Sequence, residues 1–289
     1  MNILISGGTG FIGINLVKKL LSQHVLILTR EKKKNIKNIK YLECNLSKPD
    51  SYRKQIKKFK PEILIHLAWE GLPNYNLRIS NINFQNSKNL IEEASKIKSL
   101  KKILISGSCF EGNNLGKKIN EKSTFQNKNY FSSAKTLLKN WVFEFHKKTN
   151  VEVAWIRIFY AYGYGQRKNS LIPSLIKAKI NQSKIKIKTP NDVCDFIYID
   201  DVISFFKILI KKKFSSNIFN LGSGKPTKVI NICKKILGND FKNLCIIDKN
   251  SKIKNYYWAD ILKIKKLYNY NTKVSLDNGI NNLMKNYEY

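Results

Sequence analysis

Gly7, Gly10 and Gly13 follow the apolar run Asn2-Ile3-Leu4-Ile5-Ser6 directly and precede Ile14, Leu16, Val17, Leu20 and Leu21 at helical spacing. A strand that stops, turns tightly and opens a helix aims free N–H groups at a phosphate, and glycine is required where a Cβ would block the approach. The chemistry suited to this pattern is capture of a dinucleotide pyrophosphate. Glycines alone also occur in turns that bind nothing. The strand before them and the amphipathic helix after them favour the binding reading.

The rest of the chain supplies elements to position such a turn. Strand-like runs at 2–6, 25–29, 39–42, 63–67, 102–106, 152–158 and 217–221 alternate with amphipathic helical patterns near 11–22, 50–58, 81–97 and 131–148. That rhythm predicts an α/β fold, a doubly wound parallel sheet of Rossmann type. After Phe159 come loops rich in Tyr and Gly, a helix near 171–181, and short elements separated by Pro173, Pro190 and Pro226. These predict a smaller mixed C-terminal lobe. The expected division is 1–164, with 195–224 partly returning to it, against 165–194 with 225–289.

Composition bounds the class. A chain of 289 residues that is 43% hydrophobic can bury one large core, or a core and a smaller lobe, which excludes disorder as a description of the whole. No apolar run approaches a membrane span, and the first strand begins at residue 2, so a cytoplasmic protein without a signal peptide is expected. Cys44, Cys109, Cys194, Cys233 and Cys245 are scattered singly and the three histidines are dispersed, which implies reduced thiols and no metal. The formal charge of +33 leaves two readings open. It suits a polyanionic partner such as RNA, but the lysines lie on every predicted helix among many Asn and Ile, as on a generally solvated basic surface.

Further motifs follow in order: IHLAW at 65–69, ISGSCFEG at 105–112, SSAK ending at Lys135, RIFYAYGYGQR at 157–167, DFIYIDDV at 195–202 and FNLGSGKP at 219–226. Together with GGTGFIG at 7–13, this series resembles the NAD(P)-dependent nucleotide-sugar epimerase/dehydratase family, the extended short-chain dehydrogenases. The resemblance covers nearly the whole chain. It implies a nicotinamide cofactor in the larger lobe and a nucleoside-diphosphate sugar bound with the help of the smaller, substrate-binding one. Gly7, Thr9, Gly10, Phe11, Ile12 and Gly13 would then hold the pyrophosphate, Leu67, Ala68 and Trp69 would line the cofactor cleft, and Lys135 and Tyr160 would reach the cofactor. The resemblance also implies a homodimer through the helices near 81–97 and 131–148, where Leu137, Leu138, Trp141 and Val142 are more apolar residues than one sheet face needs.

Cofactor choice turns on Arg30, at the end of the second predicted strand. An acid there would accept from the ribose hydroxyls of NAD, whereas arginine attracts the 2′-phosphate of NADP. Asn45 and Leu46 stand where the family usually places an acid and an apolar residue beside adenine. NADP is the expected cofactor, with NAD the alternative.

The family's chemistry uses a Ser or Thr hydroxyl, a Tyr, and a Lys four residues after the Tyr. Ser108 matches the hydroxyl, with Ser106 as the alternative, on the assumption that the family's Tyr-Gly is shortened here to Gly112. Four residues before Lys135 stands Phe131; Tyr130 lies five before it. On an α-helix, four residues bring side chains within about 40° of one another and five leave them about 140° apart. Either Tyr130 supplies the phenol from an irregular first turn, or Phe131 fills the ring slot without a hydroxyl. The first reading is a reductase or C4 epimerase; the second is a non-catalytic nucleotide- or RNA-binding relative.

Cys109-Phe110 replaces the Asp-Glu pair of family dehydratases, which disfavours dehydration, and ISGSCFEG is closer to reductases of 4-keto-6-deoxy sugars than to epimerases. On the substrate side the candidates are Ser108, Tyr160 and Arg167, whose fork suits a diphosphate. Cys194 stands where many relatives carry a second arginine. Glu111 is expected to be solvated, His66 to be a hydrogen-bonded core residue, and Asp200 and Asp201 to cap the following helix.

Overall fold

The computed structural model describes residues 1–111, 116–123, 129–248 and 250–285; Gly112 and the end of the expected small lobe, 286–289, lie outside them. Packing divides the chain into two units, the first being Met1–Gly112, Phe125–Arg157 and Ile203–Phe219, the second Asn113–Thr124, Ile158–Val202 and Asn220–Tyr289.

The first unit is built on a sheet of β1 (Asn2–Ser6), β2 (His24–Thr29), β3 (Ile39–Glu43), β4 (Ile63–His66), β5 (Lys102–Ser108), β6 (Glu152–Ile158) and β7 (Asn217–Leu221). Their order is β3-β2-β1-β4-β5-β6-β7, the doubly wound arrangement in which the chain reverses direction beside β1. β1 runs parallel to β2 and β4, placing Ile5 beside Ile27 and Ile65. Ile3, Leu4 and Ile5 are buried completely, because helices cover both faces of a parallel sheet and leave no solvent side for polar residues to alternate into. All seven expected strands are present, with ends displaced by at most two residues.

Helix boundaries moved further, for local reasons. α1 (Phe11–Val17) stops short of the expected 22 because Lys19 and Leu20 donate to Leu16 and Val17, tightening the last turn. α2 spans Arg53–Phe59. α3 (Leu77–Ser95) begins before the expected 81, since the Asn76 side chain accepts from the Ile79 amide and caps it there. α4 (Tyr130–His146) is opened by a capping box between Asn129 and Ser132. Leu90, Ile91 and Ala94 of α3 and Leu138 and Val142 of α4 join Leu64, Ile103, Ile105 and Trp155 in one core. Leu138 and Val142 are therefore core residues and not the surplus apolar surface expected of a dimer contact. A buried leucine of this kind contributes about 2–5 kcal/mol relative to alanine.

The second unit carries a separate three-stranded sheet in which Val193–Tyr198 pairs in parallel with Tyr160–Tyr162 and antiparallel with Pro226–Lys228. Residues 158–164 pack in this unit, where Tyr160–Tyr162 pairs with Val193–Tyr198; of the stretch 195–224 expected to return in part to the larger domain, Ile203–Phe219 packs with the first unit and Asn217–Leu221 pairs in its sheet. α5 spans Leu171–Ile180 and α6 Ile199–Lys211. Buried aspartates hold the loops. Asp195 accepts from the amides of Ser223, Gly224 and Ala259 and from the Ser223 hydroxyl, and burial raises its pKa against the pull of those bonds. Asp201 is not the simple helix cap expected. It is buried in the first turn of α6, and its carboxylate accepts from the Lys273 and Val274 amides, tying down a distant loop.

Candidate active site

The glycine turn is closed to side chains. Gly7 has φ +74°, and a Cβ there would stand 2.6 Å from the Ala68 nitrogen and 2.8 Å from the Leu67 carbonyl carbon. A Cβ on Gly13 would fall on the Gly7 carbonyl oxygen, so α1 packs against the turn only through glycine. The Gly10 amide donates to the Gly7 carbonyl at 3.1 Å, and α1 starts at Phe11 with no side chain capping it. Phe11, Ile12 and Gly13 form that first turn. The amides left without a side-chain acceptor suit an anion.

Beside the turn lies a cleft of about 760 Å³, lined by Gly7, Thr9, Gly10, Arg30, Asn45, Leu46, Leu67, Ala68 and Trp69, all expected, and also by Thr29, Glu43, Glu70 and Asn83. The glycine cradle, the apolar 67–69 loop and the polar far end fit a dinucleotide. Asn83 holds the loop in place, its amide group accepting from the Glu70 N–H at 2.7 Å and donating to the Glu70 carbonyl at 3.0 Å. The exposed Arg30 guanidinium pairs with Glu70 at 2.8 Å. The Asn45 side-chain oxygen Oδ1 accepts from the Ser47 amide and hydroxyl, so this residue shapes the turn after β3.

Deeper in the unit, His66 is buried between two serines, with Nδ1 2.6 Å from Ser6 Oγ and Nε2 2.8 Å from Ser87 Oγ. Ser87 donates its proton to the Asn83 carbonyl, so its oxygen must accept from Nε2–H, and Nδ1 accepts from Ser6. Burial, with the Lys135 charge as a smaller cause, pushes the imidazole pKa down to about 3. His66 is thus a neutral core residue.

Lys135, on α4, is buried with its ammonium 2.7 Å from the Ser106 carbonyl and 4.2 Å from the centre of the Trp69 ring. Burial lowers its pKa to about 8, opposed by the Glu111 charge. Ser108 closes β5, its hydroxyl accepting from the Phe110 amide at 3.2 Å. The Ser106 hydroxyl is engaged with the His66 carbonyl.

Tyr130 and Phe131 separate clearly. α4 is regular from Tyr130, whose side chain is 55% exposed and, five residues before Lys135, projects about 140° away from it. Phe131 is buried, its ring 5.3 Å from Trp69, 5.3 Å from Tyr75 and 6.3 Å from Phe110. The structure brings Lys135 and Phe131 together around Trp69, with Ser108 two residues beyond the Ser106 carbonyl that Lys135 contacts, and turns Tyr130 to solvent.

Glu111 corrects a further expectation. It is fully buried, accepting from the Ser108 amide at 2.6 Å and from Trp155 Nε1 at 3.1 and 2.9 Å, with Arg157 Nε at 3.5 Å. A solvated loop acid would have none of these partners. The signal for it lay on β6, where an arginine inside the apolar run 152–158 demands a buried acid.

The second unit holds the remaining candidates. The Tyr160 hydroxyl is 3.4 Å from that of Tyr257 and its ring 5.6 Å from Phe196. Arg167 is exposed, on a turn where its carbonyl accepts from Ser170. Among the described residues no group of three or more His, Cys, Asp or Glu could hold a metal ion, and no helix is long and apolar enough to cross a membrane.

A glycine-cradled cleft at the reversal point of this sheet defines a dinucleotide-binding protein of the doubly wound class. Residues 3–222 match the model of the NAD dependent epimerase/dehydratase family, and the chain belongs to that family. It is 27% identical over 265 residues to the dTDP-D-glucose 4,6-dehydratase of Dictyostelium discoideum, a match covering 81% of this chain but only 61% of that protein's length. It is likewise 27% identical over 231 residues to the GDP-6-deoxy-D-talose 4-dehydrogenase of Aggregatibacter actinomycetemcomitans, covering 78% and 75%. Its fold is similar to that of the UDP-glucose 4-epimerase of Thermotoga maritima solved with UDP-glucose, with a TM-score of 0.87, 21% identity, and 99% and 98% of the two chains covered.

Proposed function

We propose that this protein is an oxidoreductase acting at C4 of a nucleoside-diphosphate sugar, by reduction of a 4-keto sugar or by C4 epimerisation, with NADP(H) preferred over NAD(H). The observation that carries the reading is the buried Lys135 ammonium, held against β5 two residues from Ser108. A bound nicotinamide would supply hydride transfer. The chain's part is to hold the dinucleotide by the glycine turn, to orient the sugar oxygen with the Ser108 hydroxyl, and to stabilise negative charge on that oxygen with Lys135, while solvent water supplies the proton that completes the alcohol. Arg30 supports NADP, because its pair with Glu70 is exposed and a 2′-phosphate offers the guanidinium a stronger partner. Tyr160 and Arg167 are assigned to the sugar nucleotide, and two copies are inferred to pair through α3 and α4.

One observation favours a second reading, that of a nucleotide- or RNA-binding protein without turnover: the buried Phe131 has no hydroxyl to give. A screen of NADPH and NADH oxidation against nucleotide-linked 4-keto sugars decides between them. Turnover with at least one sugar, faster with NADPH, and loss of that preference in Arg30→Ala are expected. Cofactor binding with no oxidation against any sugar favours the second reading, and salt-dependent binding of random RNA strengthens it.

A further inference from the structure

We propose that Glu111 is the positioning residue of this site, fixing the backbone that carries Ser108 and supplying the counter-charge for the buried Lys135 ammonium. The inference deepens the oxidoreductase reading and rests on it for its kinetic consequences. Its structural basis is separate. Glu111 is fully buried, and one carboxylate oxygen accepts from the Ser108 amide at 2.6 Å while both face Trp155 Nε1. Since Trp155 and Arg157 both lie on β6, the carboxylate ties the end of β5 to its neighbouring strand at the residue meant to touch the sugar oxygen. Gly107 makes room for this, because a Cβ there would collide with the Trp155 indole nitrogen and stand 2.7 Å from Glu111 Oε1.

The charges around Lys135 show why an acid is needed. Lys139 lies one turn further along α4, and its pKa is lowered by burial and by the charge of Arg157, which lies on β6. His66, from β4, is neutral and contributes none. The Ser106 carbonyl and the rings of Trp69 and Trp155 face the ammonium with partial charges only. Glu111 is the carboxylate whose charge acts on both lysines, raising the pKa of each against burial. Without it, Lys135 would surrender its proton at a lower pH and lose the charge that stabilises a developing alkoxide.

Two variants separate the roles. Glu111→Gln keeps an oxygen for the Ser108 amide and removes the charge. The alkaline limb of kcat/KM is expected to move about one pH unit lower, with KM little changed. Glu111→Asp keeps the charge but is one methylene short of Ser108, so kcat is expected to fall about tenfold with the limb in place. The Lys135 titration, followed by NMR of ¹³Cε-labelled lysine and assigned by its absence in Lys135→Met, should shift down in Glu111→Gln and stay in Glu111→Asp. An unmoved titration in Glu111→Gln overturns the counter-charge, and unchanged kcat in Glu111→Asp overturns the positioning of Ser108. Should Glu111→Gln not fold, Glu111→Asp decides: a displaced Lys135 titration there overturns the proposal, and a titration held in place with lowered kcat sustains it. A wild-type protein that turns over no sugar refutes the oxidoreductase reading, whereas the titration, which needs no substrate, still judges the role of Glu111.

Discussion

Phe131 stands one helical turn before Lys135 with its ring against Trp69, so the position that would place a phenol beside the ammonium holds a benzene ring instead. Tyr130, one residue earlier, is turned to solvent by the regular winding of α4. The helix has no freedom to exchange them, because the Asn129–Ser132 capping box sets its first turn. Tyr130→Phe is therefore expected to leave turnover within about twofold of wild type, where loss of a true general acid costs roughly 10²–10⁴-fold. Phe131→Tyr places a phenol within reach of the Lys135 charge and should raise ketone reduction in the same assay. A large loss in Tyr130→Phe with no gain in Phe131→Tyr would return the proton-donating role to Tyr130. The alternatives were visible in the spacing of SSAK, but choosing between them needed the cap.

At the scale of elements, the Ser6–His66–Ser87 chain of hydrogen bonds joins β1, β4 and α3 behind the glycine turn. Its pH dependence has a definite sign. An unfolded histidine protonates near pH 6.5, whereas His66 in the fold stays neutral down to about 3. The unfolded chain thus binds the extra proton first, and the stability contributed by neutral His66 is complete above about pH 6.5 and lost as pH falls towards 3. Lys135 titrates near 8, outside this window. Urea midpoints measured from pH 7.5 to 4 should fall more steeply for the wild type than for His66→Gln, which carries no titrating group there. Parallel slopes would show that other groups govern acid unfolding. Sequence placed His66 in the core correctly, since a histidine inside IHLAW has few other roles, but the serine on α3 that completes its hydrogen bonding lies 21 residues away.

For the whole molecule, pairing of two copies through α3 and α4 has less apolar surface to draw on than the helical pattern suggests, because Leu138 and Val142 are spent on the core. Leu77 and Leu137 remain more than half exposed, and Trp141 and Phe145 stack on each other at 5.0 Å, only partly covered by the core. Sedimentation at micromolar concentration is expected to show a dimer that Leu137→Glu dissociates, since a charge at the centre of such a contact is costly to bury. A wild-type monomer at that concentration, or a Leu137→Glu dimer as stable as the wild type, would exclude this face.

The sequence by itself determined the sheet, because strands covered on both faces, such as Asn2–Ser6, are largely apolar, and seven strand-like runs alternated with amphipathic helices. It also determined the glycine turn, where glycines set directly between an apolar strand and an amphipathic helix are a local signal. Helix ends were less legible, since they depend on which polar side chain turns back to cap, as Asn76 and Asn129 do. Only the tertiary structure decided the fate of the charged and aromatic residues. Glu111 reads as a loop acid until β6 brings Trp155 and Arg157 against it, 44 and 46 residues further along. Asp201 reads as a cap until the loop at 273–274 supplies its partners. Burial of a carboxylate is favourable only when distant donors converge on it, and that convergence is a property of the folded chain, with no trace in the spacing around the residue itself.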